Sequence, residues 1–193
     1  MNKSKWVLPG IGVAVLLFIG WTVSVSNSMV RLDEGVNGAK AQVENVYQRR
    51  LDLIPNLVNT VRAYAKHEAE VLEGVAKARS QAGQVNITAK PEDFAKYDQA
   101  QVGLSHALSR LLVVAEKYPD LKADRNFQEL QSQLEGSENR ITIERQRFNE
   151  ASQTYNVYVR SFPQMLIAMI RGFKERPYFS AAAGAATAPE VKF

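Results

Sequence analysis

From Trp6 to Val25 no residue is charged and most are apolar, whereas beyond Arg31 the apolar positions fall into a repeating stripe. At a rise of about 1.5 Å per residue, about twenty helical residues match a hydrocarbon core of about 30 Å, so the first stretch predicts a transmembrane helix. Trp6 and Trp21 mark its ends as interface residues do, and Leu16, Leu17 and Phe18 form its centre. A cleaved secretory signal is the rival reading, since Lys3 and Lys5 resemble a basic leader and Ser24–Ser26 are small; the apolar stretch is longer than such leaders use. Both readings leave Lys3 and Lys5 in the cytoplasm. The following domain is then expected outside it, on the periplasmic side of an inner membrane.

After the span, Leu32, Val36, Ala39, Val43 and Val46, then Ile54, Leu57, Val61 and Tyr64, then Val71, Leu72, Val75 and Ala78, recur at helical spacing. Pro55 interrupts this stripe because proline lacks a backbone donor and crowds the preceding turn. Either the helix continues with a kink, or it ends near Asp52 and restarts with Asp52 as its N-cap. The second choice gives four helices over 27–51, 55–83, 92–117 and 123–162, with breaker-rich connections at Gly83–Pro91 and Tyr118–Asp120. The first three are near-equal in length, which suits an all-α, up-and-down antiparallel four-helix bundle.

The last of these helices repeats Phe127, Leu134, Ile141, Phe148, Tyr155 and Phe162 at intervals of seven, with Leu130, Ser137, Ala151 and Tyr158 on the neighbouring row. Such a stripe is expected to be core, not a ligand box. Phe162-Pro163 closes the helix, and Gln164–Phe173 forms a short apolar segment. That segment either lies in the membrane interface or caps the open end of the bundle. Capping is the expectation, because Met165–Ile170 leaves no polar face. The domains are thus a 1–26 anchor, a 27–177 bundle and a 178–193 tail of small residues expected to be flexible.

Composition narrows the chemistry. The chain has no cysteine, which excludes disulfides, a thiolate nucleophile and cysteine-ligated zinc. Its 24 Lys and Arg against 20 Asp and Glu give a net charge of +4, but the signs alternate along the helices, which predicts solvated faces and no nucleic-acid binding. The two histidines, His67 and His106, could form an inter-helix metal or ligand sensor only with acids such as Glu68 or Glu70. The plainer expectation is a solvated His67 and a half-buried His106. Arg140 and Glu144 have the i, i+4 spacing of a helix ion pair. A sharper reading joins Glu44, Arg49, Arg50 and Asp52 to Asn139, Arg140 and Glu144 through buried polar links. No serine–histidine–acid order, glycine-rich phosphate loop or paired-histidine motif occurs, so the expectation is a non-enzymatic protein without cofactor.

Gln48–Glu68 (QRRLDLIPNLVNTVRAYAKHE), Gln133–Asn156 (QLEGSENRITIERQRFNEASQTYN), Arg176–Phe179 (RPYF) and the terminal APEVKF together resemble the LemA family of bacterial membrane proteins. The resemblance implies an N-terminal membrane helix and a four-helix bundle, and so a helix break at Pro55. It implies no activity, catalytic residue or cofactor. Members are often encoded beside a TPM-domain protein or an HtpX-type membrane protease. Phe148 departs from the family pattern, which often has tyrosine there. The expected function is an assembly or adaptor surface at the membrane, made by Arg49, Arg50, Asp52, Pro55 and Asn56. Its partner would be a second copy or another membrane protein, with a protease as one case.

Overall fold

The computed structural model describes residues 7–85 and 91–179. Trp6, Lys3, Lys5, most of the Gly83–Pro91 connection and residues 180–193 of the expected 178–193 tail lie outside the described residues; Phe179, within that expected tail, is buried. Among those described the protein is all-helical: α1 Val7–Tyr64, α2 Ala69–Gln84, α3 Pro91–Ala115, α4 Pro119–Ala123, α5 Arg125–Arg160 and α6 Gln164–Arg171.

The expected break at Pro55 is absent. Helix α1 runs through it for 58 residues, and the expected helices 27–51 and 55–83 do not exist as such. Pro55 has no N–H to offer the carbonyl of Leu51 four residues back, but the Arg79 side chain donates to that oxygen at 2.9 Å. Asp52 therefore lies inside a helix and caps nothing; it accepts a bond from Gln48 at 2.8 Å. The break comes instead at Ala65–Glu68, where the local sequence holds neither glycine nor proline. Tertiary contacts hold this turn. Ala65 is fully buried, Tyr64 donates to Asp124 at 3.0 Å, and Tyr118 donates to Glu68 at 3.4 Å.

The chain divides into two compact units, one formed by the residues up to Ala39 with Glu150–Arg176, the other by Lys40–Asn149 with the chain from Pro177. Helices α1 and α5 contribute to both. In the second unit the core gathers Leu51, Ile54, Leu57 and Val61 of α1, Leu72 and Val75 of α2, Leu104, Leu108 and Leu111 of α3, Leu121 of α4 and Phe127 of α5. Each such fully buried leucine or isoleucine contributes about 1.5 to 3 kcal/mol relative to exposure. Phe94, Phe148 and Phe179 add an aromatic cluster with ring centroids 4.8 to 5.5 Å apart. Phe148 is buried, which suits the loss of the hydroxyl that a tyrosine would need to satisfy there. Asp124 starts α5 by accepting the backbone N–H of Phe127 at 2.9 Å, the N-cap to N3 bond.

In the first unit Val25, Met29 and Val36 of α1, Tyr155 and Val159 of α5, and Ile167 and Ala168 of α6 are buried. The aromatic stripe of α5 is core at Phe127, Phe148 and Tyr155, but Phe162 is 77% exposed. The helix has already ended at Arg160, because a residue before proline is driven out of the helical region. The N-terminal part of α1 is the opposite of a core. Ile11, Leu16, Leu17, Phe18 and Trp21 are all exposed, Leu16 and Leu17 by about 70%. The helix is long and apolar enough there to cross a membrane.

Candidate interaction surface

The segment Arg49–Asn56 splits by helical phase. Arg49, Asp52 and Asn56, spaced i, i+3 and i+7, are exposed on one face of α1, and Pro55 at its edge is half-buried. Arg50 points the other way and is 6% exposed, so it is no part of a surface. A clear signal for this lay in the sequence: Met29, Val36, Val43, Arg50 and Leu57 are spaced by seven and all are buried. Arg50 is the one cation in an apolar row.

Its guanidinium is held by Glu138, Nη1 to Oε2 at 2.9 Å, and by Ser105, to whose Oγ Nη2 donates at 2.9 Å. An arginine at such a position needs partners, because an uncompensated buried charge costs several kcal/mol. Of the residues expected to form buried polar links, Glu44, Arg49, Arg50, Asp52, Asn139, Arg140 and Glu144, only Arg50 is buried, and its partner is the exposed Glu138. Glu44 pairs with Lys40 on its own helix at 3.5 Å. Glu144 pairs with Arg147 at 2.8 Å, in place of the expected Arg140.

Arg49 and Arg140 are thereby left exposed, with no acidic partner among the described residues. They border one open groove of about 370 Å³ between α1 and α5, lined also by Asn45, Gln133, Gly136 and Ser137. The groove is polar and cationic at its rim. No α1 or α5 carboxylate lines it, so it suits a partner bearing acidic or hydrogen-bonding groups.

Sequence reasoning missed a second polar group in the same unit. Asp98 of α3 meets Arg145 of α5 at 2.9 Å, and the Arg145 guanidinium lies 4.7 Å from the centroid of the Phe179 ring. Burial raises the carboxyl of Asp98 above its ordinary range, with Arg145 opposing the shift. Tyr47 and Tyr97 stack edge to face beside it, 4.8 Å apart, and burial raises both phenols. Tyr47 and Tyr97 fall on apolar rows of their helices, but nothing in the pattern around Asp98 distinguishes it from a solvated acid.

The metal alternative finds no geometry. His67 and His106 are both exposed, so His106 is not the half-buried imidazole expected. Among the described residues no three of His, Asp and Glu gather as metal ligands would.

The sequence profile of the LemA family matches residues 39–193, most of the chain. The chain belongs to the LemA family. It is 26% identical to the magnetosome protein MamQ 2 of Paramagnetospirillum magneticum over 187 residues, covering 86% of this chain and 69% of that protein. The magnetosome protein MamQ of Magnetospirillum gryphiswaldense matches to the same extent, 26% over 187 residues. Protein LemA of Metamycoplasma hominis is 20% identical over 154 residues, covering 79% of this chain and 65% of that one.

The LemA-like motifs at the C-terminal end have a structural role in each unit. In the first, Asn156 of α5 donates its amide to the carbonyl of Arg176 and accepts the Arg176 N–H, both at 2.8 Å. In the second, Asn149 makes the same pair of bonds with Phe179, both at 2.9 Å. Two asparagines seven residues apart on α5 thus satisfy the backbone of the RPYF segment as a neighbouring strand would. Arg176 also bonds Asp33 of α1, Nη2 to Oδ1 at 2.7 Å.

Proposed function

We propose that this protein is a single-pass membrane protein whose helical domain serves as a non-enzymatic assembly or adaptor surface. Residues 6–25 hold it in the bilayer. Helices α1, α2, α3 and α5 of the second unit pack as an up-and-down antiparallel bundle on the periplasmic side. The surface is the exposed face of Arg49, Asp52 and Asn56 with the groove shared by Arg140; Arg50 and Pro55 shape it from beneath and from its edge.

The observation that supports this reading is the pair of guanidiniums without an acidic partner among the described residues, Arg49 and Arg140, on either side of one open groove. Elsewhere on α1, Lys40 and Glu44 pair along the helix; at the groove two guanidiniums from different helices face one opening instead. The partner that fits is a second copy or another membrane protein offering acidic groups, a membrane protease being one case. The likeness to proteins named for the magnetosome also favours work as part of a larger assembly.

A photo-crosslinking residue placed at Arg49 or Asn56 of the full chain in native membranes tests it. A discrete adduct from these positions, and none from the exposed Lys77 on α2, is the expected result. Absence of any adduct from both positions overturns the proposal.

A further inference from the structure

Helix α6 is apolar on both of its sides, and only one side is packed. Ile167 and Ala168 are buried, whereas Met165, Leu166, Met169 and Ile170 are 40%, 49%, 73% and 84% exposed. Phe162, just before the helix, extends the same patch. The absence of a polar face, which made capping the expectation, has a structural explanation: the side that would be polar in an isolated interfacial helix lies against protein here. The remaining apolar face has no partner among the described residues, and exposed patches of this kind mark contact sites.

The position of α6 indicates what covers it. Its last residue, Arg171, donates from Nε to Oγ of Ser26 at 3.3 Å. Ser26 directly follows the stretch of about twenty residues that matches a hydrocarbon core of about 30 Å. The end of α6 therefore lies at the depth where hydrocarbon gives way to headgroups. The chain beyond it is held further out, because Arg176 bonds Asp33, about 10 Å along α1 from Ser26 at 1.5 Å per residue. Gly172, with φ 77°, makes the turn between these two attachments. Arg31, Arg171 and Lys174 are exposed in the same unit and supply cations near headgroup level, whereas Arg160 pairs with Glu175 at 3.5 Å.

We infer that α6 is a second membrane contact: it lies in the bilayer interface beside the span, with Phe162, Met165, Leu166, Met169 and Ile170 in the acyl boundary and the flanking basic residues among anionic headgroups. This rests on reading α1 as a membrane span. Two attachments fix the tilt and rotation of the first unit at the bilayer, which one helix alone leaves free.

The chain has no cysteine, so single-cysteine variants of the full protein carry one fluorophore each. Ile170→Cys, Leu16→Cys and Gln153→Cys are reconstituted in phosphatidylcholine vesicles with a minority of phosphatidylglycerol, and helix content is checked by circular dichroism. Nitroxide lipids then report contact with acyl chains, and iodide reports contact with water. The expected result is several-fold stronger quenching of the position-170 label by shallow nitroxide lipid than of the position-153 label, with protection from iodide. Deep quenching at position 16 with iodide access at position 170 overturns the inference while leaving the span intact. Shielding of position 170 from both quenchers also overturns it, because protein then covers the face. Absence of lipid quenching at position 16 removes the span reading, and the inference with it.

Discussion

Arg79 on α2 donates its Nε–H to the carbonyl oxygen of Leu51 on α1 at 2.9 Å, at the one turn where Pro55 cannot. A proline inside a helix leaves the carbonyl four residues earlier without its usual donor, and a half-buried carbonyl left bare costs about 1 to 3 kcal/mol. The bond lets α1 pass through Pro55 and ties it to α2 at the same point.

Arg79→Met is therefore expected to destabilise the protein by about 1 to 2 kcal/mol, because it bares the Leu51 oxygen. Pro55→Ala restores a main-chain donor to that oxygen. In the Pro55→Ala background the same Arg79→Met change is expected to cost less by about 1 kcal/mol, a coupling within the usual range for contacting groups. Urea unfolding of the four proteins in the cycle measures this. Equal costs in both backgrounds would show that Arg79 acts elsewhere.

This relationship also shows what a sequence conveys and what it leaves hidden. Helical period alone identifies Phe127, Ile141, Phe148 and Tyr155 as core, since a residue every seventh position must share a face. It also marks Arg50, seven residues beyond Val43, as buried among apolar neighbours. Period says nothing about Leu51 and Arg79, which lie 28 positions apart. Family resemblance pointed to a helix end at Pro55, but the chain ends the helix at Tyr64, because a fully buried Ala65 and the bonds of Tyr64 and Tyr118 outweigh the local preference of Ala-Lys-His-Glu. The exposed stripe Arg49, Asp52 and Asn56 was legible from phase. The groove was not, because Arg140 reaches it from another helix.

Asn156 is buried, with its amide nitrogen and oxygen each bonded to the backbone of Arg176. Asn156→Asp keeps the acceptor and its size but replaces the donor with a second oxygen facing the Arg176 carbonyl. A loss of about 1 to 3 kcal/mol is expected, as for other buried groups deprived of a partner. The local effect should exceed the global one. Trypsin should cut after Lys174 faster than in the parent protein, with α5 and α6 otherwise folded, and unchanged cleavage would show that the clamp does not hold this segment.

Asp124 gives a pH dependence with a definite sign. Its carboxylate accepts the Phe127 N–H and the Tyr64 hydroxyl, and these bonds lower its pKa below the ordinary value of about 3.9. A depressed folded-state pKa means that the unfolded chain binds the proton more tightly. The stabilisation is thus present above the ordinary carboxyl pKa and is lost as pH falls through the depressed one. Asp98 works in the opposite direction, since its pKa is raised and protonation favours the folded state. Asp124 must therefore be read by difference. Asp124→Asn keeps a capping side chain but cannot titrate. The gap between the urea midpoints of parent and variant is expected to change between pH 5 and pH 3, with the parent losing more; parallel curves would remove Asp124 as the titrating group.

Gly172 has φ of 77° at the end of α6, and its neighbour Phe173 returns an N–H to the Ala168 carbonyl at 3.0 Å. A side chain at this left-handed position costs about 1 to 2 kcal/mol, and nothing near the missing Cβ would clash, so backbone strain alone sets the penalty. Gly172→Ala is expected to destabilise by that amount and Gly172→Asn by less, because asparagine tolerates the conformation better. The comparison separates strain from bulk: asparagine is the larger side chain, so a steric cause would reverse the order of the two variants in thermal unfolding. The expected order also bears on the membrane, since this glycine lets the chain turn from Arg171, bonded to Ser26, to Arg176, bonded to Asp33. Strain relieved by fraying would release α6 from its place beside Ser26, and the variants should then rank in the same order in the iodide accessibility of a label at position 170.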